Sequence, residues 1–146
     1  MVRDLLPTDA PAAAALTPDW SVDDYAAIVR GDFPDRFCLI HTSAENLDAL
    51  LLASVVPPDA EILNVYVHPD HRRQGIATNL LHEALFRMKA KGARRVWLEV
   101  RESNLAALHI YEAAGFRRTG RRHEYYPIPG KKNEDALVLE TTLTMC

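Results

Sequence analysis

Apolar positions along this chain switch between strand-like and helix-like spacing. Ile62-Leu63-Asn64-Val65-Tyr66-Val67 is a β-rich run that predicts a strand. After a basic, Gly-containing turn, Ala77, Leu80, Leu81, Ala84, Leu85 and Met88 repeat at helical spacing. They predict a helix over residues 77–91, closed by Lys89, Lys91 and Gly92. Val96-Trp97-Leu98-Glu99-Val100 predicts a strand with Val96, Leu98 and Val100 on one face and Trp97 and Glu99 on the other. Ser103 or Asn104 caps a short helix through Ala114, and Gly115 stops it. Upstream, residues 9–16 predict a helix, and Ser21 caps a second one through Val29, ended by Gly31. Residues 37–41 and 50–56 predict a meander with its turn near Asn46 and Asp48, stopped by Pro57-Pro58. Residues 116–118, 124–126 and 136–143 predict later strands. The central strand–helix–strand–helix–strand order implies parallel neighbours with helices packed on the sheet. Meander-like flanks make the expected sheet mixed, of α/β (α+β) class.

Composition narrows the class. The 146 residues suit one domain, 1–146, with a substantial core. With 48% apolar and 25% charged residues, the chain reads as a soluble globular protein. A net charge of -3 argues against a molecule that holds nucleic acid by bulk charge. Charge is uneven, however: Arg117, Arg118, Arg121, Arg122 and His123 form a basic run, whereas Asp19, Asp23, Asp24, Asp32 and Asp35 make the N-terminal part acidic. Cys38 lies in an apolar run and reads as a small core residue; Cys146, the last residue, is expected to fray. Two cysteines make no disulfide framework, which fits a reducing, cytoplasmic setting. Residues 1–16 do not read as a signal peptide, and no apolar stretch reaches membrane-spanning length, so no membrane partner is expected. His68 and His71 share a loop without nearby Cys or a helical His pair, so no metal site is expected.

The candidate chemistry begins at Arg72-Arg73-Gln74-Gly75-Ile76-Ala77. A strand, a basic turn and a helix start form an anion-binding device, because the first helical N–H groups lack intrahelical partners and the dipole favours negative charge. Gly75 and the small Ala77 permit close backbone approach, which suits a phosphate or pyrophosphate. Glu99 is a carboxylate in an otherwise apolar strand, beside Trp97. An apolar wall pushes a carboxyl pKa up and makes it a usable general base. Tyr111 follows on the next helix; a phenol can protonate a leaving group of similar basicity, such as a thiolate.

Taken together, Leu98-Glu99-Val100-Arg101-x-Ser103-Asn104-x-x-Ala107-x-x-x-Tyr111-x-x-x-Gly115-Phe116 resembles the hallmark segment of the GNAT superfamily of N-acetyltransferases. More narrowly, it resembles the branch that acetylates protein N-terminal α-amines. Arg72-x-x-Gly75-x-Ala77 is similar to that superfamily's acetyl-CoA signature, with Ala77 where Gly is more usual. Trp20-Ser21, Tyr125-Tyr126-Pro127 and Glu134-Asp135-Ala136 resemble segments of bacterial ribosomal-protein-alanine N-acetyltransferases. The likeness spans residues 15–143.

The resemblance implies a splayed central sheet flanked by helices, with acetyl-CoA as acetyl donor. It implies that Val65, Tyr66 and Val67 offer a strand edge to the pantetheine arm. Arg73, Gln74, Gly75, Ile76, Ala77 and Thr78 would cradle the pyrophosphate, and Asn104 would hydrogen-bond the amide arm. Arg72 opens the motif and is expected to face solvent. Glu99 would be the general base and Tyr111 the general acid in direct transfer to the N-terminal amine of a protein, a ribosomal one by the narrower likeness. Tyr125, Tyr126 and the segment to Asn133 would line the acceptor side. Two features depart from the pattern: the short N-terminus leaves the first strand clipped or absent, and Pro18-Asp19-Trp20-Ser21 carries an extra Asp. Four other readings stay open. They are an acetyltransferase of other protein N-termini, a small-amine acetyltransferase, a non-catalytic acetyl-CoA-binding module, and an RNA-binding protein using residues 117–123.

Overall fold

One mixed sheet holds every strand of the computed structural model, which describes residues 1–143. In chain order the strands are β1 (Val2–Asp4), β2 (Arg36–Ser43), β3 (Asn46–Val56), β4 (Asp59–Val67), β5 (Arg95–Arg101), β6 (Arg117–Tyr126) and β7 (Glu134–Thr142). The helices are α1 (Ala10–Leu16), α2 (Val22–Arg30), α3 (Ile76–Ala90) and α4 (Leu105–Ala113). The strands lie side by side in the order β1-β2-β3-β4-β5-β7-β6. The expectation for Cys146 lies outside the described residues.

Local chemistry sets these boundaries. Ser21 Oγ accepts from the Asp24 N–H at 3.1 Å while the Asp24 carboxylate accepts from the Ser21 N–H at 2.8 Å, a reciprocal cap that starts α2. Gly31, at φ 85, ends it in the left-handed conformation. The β2–β3 turn is Ala44-Glu45, both at positive φ (49 and 71), directly before Asn46, while Asp48 lies beyond it. Such two-residue turns match strand twist but usually announce themselves with Asn-Gly or Asp-Gly, absent here. β3 therefore starts at Asn46 and carries Asp48 inside the sheet. Pro57-Pro58 is itself the tight link to β4, since Val56 pairs with Asp59. β4 thus begins ahead of the expected residue 62.

The expected strands at 116–118 and 124–126 are one irregular edge strand, β6. The expected parallel pairing after α4 does not form: β7 inserts between β5 and β6, antiparallel to both. Only β4 and β5 run parallel. The first strand is present as the three-residue β1, antiparallel to β2.

The core has a layer on each side of the sheet. On one face, Ile76, Leu80, Leu81, Ala84 and Met88 of α3 and Leu108 and Tyr111 of α4 pack on Leu51, Ile62, Val96, Leu98, Val100, Leu137 and Leu139. Fully burying one such Leu stabilises by about 1.5–3 kcal/mol. On the opposite face, Tyr25 and Ile28 of α2 and Ala10 and Ala13 of α1 cover Cys38, Ile40, Leu50 and Leu52. Leu50, Leu51 and Leu52 point alternately to the two layers, and all three are fully buried. α1 and α2 pack chiefly on the β2–β3 half of that second face, with Leu63 of β4 at its border. The half formed by β5, β7 and β6 carries no helix, and it is there that Trp97 and Glu99 point, as expected from the alternation.

Candidate active site

The parallel pairing of β4 with β5 is brief. It runs from Asp59 opposite Arg95 to Ile62 opposite Leu98 and then stops. At that point the β3–β4 register shifts, with Ala53 opposite Ile62 but Leu52 opposite Asn64. Leu63 is thus an extra residue in β4, a bulge that bends the strand. Beyond it, Val65, Tyr66 and Val67 pair with Leu51, Leu50 and Ala49 of β3 but leave their other edge unpaired. β5 meanwhile continues through Glu99, Val100 and Arg101 paired only to β7. The result is a fork whose β4 arm exposes backbone N–H and C=O groups, open to an extended ligand.

The loop at the end of that arm is built for an anion. Arg73 (φ 66) and Gly75 (φ 76) both adopt the left-handed conformation and fold the backbone tightly before α3. Gly75 is the N-cap, and no side chain caps the helix. The N–H groups of Ile76, Ala77 and Thr78 at the first turn are therefore left for a ligand. Arg72 does more than face solvent: its Nε donates to the Val67 carbonyl at 3.0 Å and its guanidinium lies 5.8 Å from the Tyr66 ring. It ties the loop to the arm. Ile76 differs from its loop neighbours, since its side chain is buried in the core.

Glu99 stands on β5 just past the point where the strands part. Its carboxylate is mostly buried and pairs with Arg122 Nε at 2.9 Å. The sequence suggested an apolar wall at Trp97 as the dominant influence, but the nearest electrostatic partner is this guanidinium from β6. The basic run had no apparent link to Glu99 until β7 brought β6 alongside. Arg122 also lies 5.1 Å over the Tyr125 ring, and Arg101 lies 4.4 Å over Tyr126. The two tyrosines meet edge to face at 5.0 Å. Glu134 fixes Arg101 at 3.3 Å and accepts the Ser103 N–H at 2.7 Å. A tyrosine–arginine wall thus borders Glu99; an open surface depression of about 430 Å³ lies at Glu134, lined also by Glu102, Ser103, His123, Lys132 and Asp135.

A second carboxylate escaped the sequence reading. Glu61 pairs in register with Trp97, on the Glu99 face, just below the fork. Burial, then the nearby Glu99 charge, raise its pKa, against the opposing pull of Arg122 and Arg36. It makes no hydrogen bond or ion pair among the described residues. The signal was alternation: once β4 starts at Asp59, Glu61 falls on the open face.

Tyr111 lies on α4 with its ring against Phe116 at 5.7 Å. Burial, then the charge of Tyr126, push its phenol up to about 12. Tyr126 in turn feels Glu99, so the three groups share one electrostatic neighbourhood. The Tyr111 hydroxyl makes no hydrogen bond among the described residues, yet it is not a sealed orphan. Tyr111 is 9% exposed, so its ring is core while the hydroxyl is not sealed off. Asn104 caps α4, its Oδ1 accepting the Ala107 N–H at 3.2 Å, which leaves its amide nitrogen for another partner.

The basic run is largely neutralised. Arg118 pairs with Glu112, Arg121 with Glu102 and Asp135, Arg122 with Glu99, and His123 sits beside Asp135. A phosphate backbone would have to displace these carboxylates. Cys38 is buried under α2, with its thiol pushed up to about 12 by burial, an inert core residue as expected. Among the described residues, no group of three or more His, Cys, Asp or Glu side chains forms a metal site, and no helix is long and apolar enough to cross a membrane.

Known proteins share this layout. The chain is 32% identical to [Ribosomal protein bS18]-alanine N-acetyltransferase of Escherichia coli K12, over 99% of this chain and 98% of that protein. The crystal structure of the ribosomal-protein-S18-alanine N-acetyltransferase from Escherichia coli superposes with a TM-score of 0.86 at 29% identity, covering 100% of this chain and 95% of that one. At 15% identity, where only the fold is comparable, yncA of Salmonella typhimurium with its cofactor acetyl-CoA gives a TM-score of 0.88 over 100% of this chain and 95% of its own. The Acetyltransferase (GNAT) family model matches residues 2–116, and with this fold and near-full-length kinship the chain belongs to that family.

Proposed function

We propose that this chain acts in the cytoplasm as one domain and transfers the acetyl group of acetyl-CoA to the α-amine of a protein N-terminus, the alanine of a ribosomal protein. The observation that carries this is the β4–β5 fork with Glu99 at its opening and the uncapped α3 start at its end. The pantetheine arm pairs with the free edge of Val65, Tyr66 and Val67. The pyrophosphate sits on the backbone of Arg73, Gln74, Gly75, Ile76, Ala77 and Thr78. The Asn104 amide nitrogen donates to the arm. The choice of an N-terminal alanine follows the near-full-length relatives.

In the reaction, Glu99 takes a proton from the substrate ammonium, directly or through water. An α-amine has a pKa of about 7.7–8.0, so deprotonation near neutral pH is a small step. The neutral amine attacks the thioester carbonyl, and a β4 backbone N–H stabilises the oxyanion. The C–S bond breaks, the acetyl group stays on the nitrogen, Tyr111 gives its proton to the departing thiolate, and the second proton that the nitrogen sheds on becoming an amide passes through solvent to restore the phenol. No acyl-enzyme intervenes. Arg122 holds the Glu99 carboxylate in place.

A polyamine acceptor is disfavoured because Arg101 and Arg122 stand on the acceptor face. A non-catalytic module is disfavoured because Glu99 and Tyr111 are both present. A thiol-release assay tests the reading, with a short peptide beginning with alanine, its N-blocked lysine-containing twin and a polyamine as acceptors. Turnover is expected on the free α-amine alone and lost in Glu99→Gln. Turnover on the polyamine or the blocked peptide, or on none of them, overturns the reading.

A further inference from the structure

Glu61 is a half-buried carboxylate that makes no ion pair or hydrogen bond among the described residues. It belongs to a row that crosses the sheet in register: Arg36 of β2, Ser54 of β3, Glu61 of β4, Trp97 of β5 and Glu140 of β7. Residues directly opposite share a face, so the row lies on the Glu99 side. Its other polar members are engaged. Glu140 pairs with Arg95, Ser54 Oγ donates to Asp35 at 2.7 Å, and the Arg36 guanidinium stands 4.6 Å over the Phe33 ring. Farther along the same face, Glu99 pairs with Arg122 at 2.9 Å and Arg101 with Glu134 at 3.3 Å.

This pairing matters for an incoming ammonium. Glu99 and Arg122 together carry no net charge, so that pair attracts a cation weakly. Glu61 supplies the negative charge that nothing else offsets by contact. Burial, then the nearby Glu99 charge, raise its pKa against the pull of Arg122 and Arg36, so the bare anion is costly there and a bound cation relieves the cost. Trp97, directly opposite, adds an aromatic surface of the kind that cations favour. Glu61 and Glu99 are one strand and two residues apart, about 8 Å between Cα atoms at ordinary strand spacing. Two glutamate side chains so placed can converge on one nitrogen at the fork.

We propose that Glu61 holds the acceptor's α-ammonium in the ground state, before Glu99 takes its proton. The proposal rests on the reading that the acceptor amine enters at the fork beside Glu99. It divides the work of the two carboxylates: Glu61 acts on binding and on the choice of a charged amine, and Glu99 acts on the chemical step. No bond forms or breaks at Glu61.

Calorimetry on the full chain saturated with coenzyme A tests this, because coenzyme A leaves no acetyl group to transfer. The probes are a short peptide with a free N-terminal alanine and its N-formylated twin, which has no charge at that nitrogen. The unaltered protein is expected to bind the free amine about tenfold or more tighter than the twin, as for a hydrogen bond to a charged group. Glu61→Gln is expected to lose that preference while binding the twin as before, and Glu61→Asp to keep part of it. In steady-state thiol release, Glu61→Gln is expected to raise KM for the peptide about tenfold with a smaller change in kcat. A preference that survives Glu61→Gln overturns the proposal. Equal weakening of both peptides also overturns it, since that marks a merely structural role, and so does a fall in kcat with KM unchanged. An unaltered protein that acetylates the peptide yet binds it no better than the twin sinks the proposal and leaves acetyl transfer standing. One that neither binds nor acetylates it overturns the acetyl-transfer reading itself.

Discussion

Replacing Tyr111 by Phe removes one oxygen from the α4 core and leaves the rest of the ring in place. The ring keeps its edge contact with Phe116 at 5.7 Å, and the lost hydroxyl had no hydrogen-bond partner among the described residues. The expected stability change is therefore under about 1 kcal/mol, against about 3–5 kcal/mol for truncating a buried aromatic to Ala. The expected chemical effect is far larger. A positioned general acid contributes about 10²–10⁴-fold to kcat, equivalent to about 3–5 kcal/mol of barrier. Because burial holds the phenol at about 12, it stays protonated through the working range, so no alkaline fall in kcat below about pH 10 is expected from Tyr111. The assay is initial-rate thiol release at saturating acetyl-CoA and alanine peptide, with a thermal melt of the same sample. A Tyr111→Phe protein with an unchanged melt and kcat within about twofold of the parent would refute the role, since that is far below the contribution of a general acid.

Further outcomes follow from the same geometry. Glu99→Gln is expected to lower kcat at least about 100-fold, whereas Glu61→Gln, removing the second carboxylate of that face, should cost under about tenfold; comparing their kcat values separates base from neighbour. A Cβ added at Gly75 meets no atom within 4 Å, but Gly75→Val must hold φ 76. That strain should cost about 1–2 kcal/mol in a denaturation curve and weaken coenzyme A binding in a titration. The Asp135 carboxyl sits at about 2, below its ordinary 3.8, chiefly through the Glu124 N–H and then Arg121. A depressed carboxyl stabilises the fold above its unfolded pKa and loses that contribution as pH falls through the folded one. Urea midpoints should therefore drop between about pH 4 and pH 2, and less so in Asp135→Asn.

Much of this architecture was legible because its strongest elements are locally consistent. The α3 periodicity, the Ser21 cap and the alternation along β5 each arise within a few residues, and each holds. What escaped the sequence was set by distant pairing. Ala44-Glu45 turns without a glycine or asparagine signal, so the buried Asp48 looked like a turn residue. β7 pairs with β5 across a long stretch of chain, and only that insertion brings Arg122 to Glu99. The fork depends on a bulge at Leu63, which no residue type announced. Glu99 and Tyr111 were legible as motif positions, but their electrostatic setting was not. A carboxylate's partners across a sheet are decided by strand order, which periodicity does not encode.

The most direct test of acetyl transfer at this fork uses one peptide with a free N-terminal alanine and an internal lysine. Tandem mass spectrometry after reaction with acetyl-CoA locates the added group. The account predicts an acetyl group on the α-amine alone, absent with Glu99→Gln. An acetyl group on the lysine ε-amine, or one on the α-amine that persists undiminished in Glu99→Gln, would contradict it.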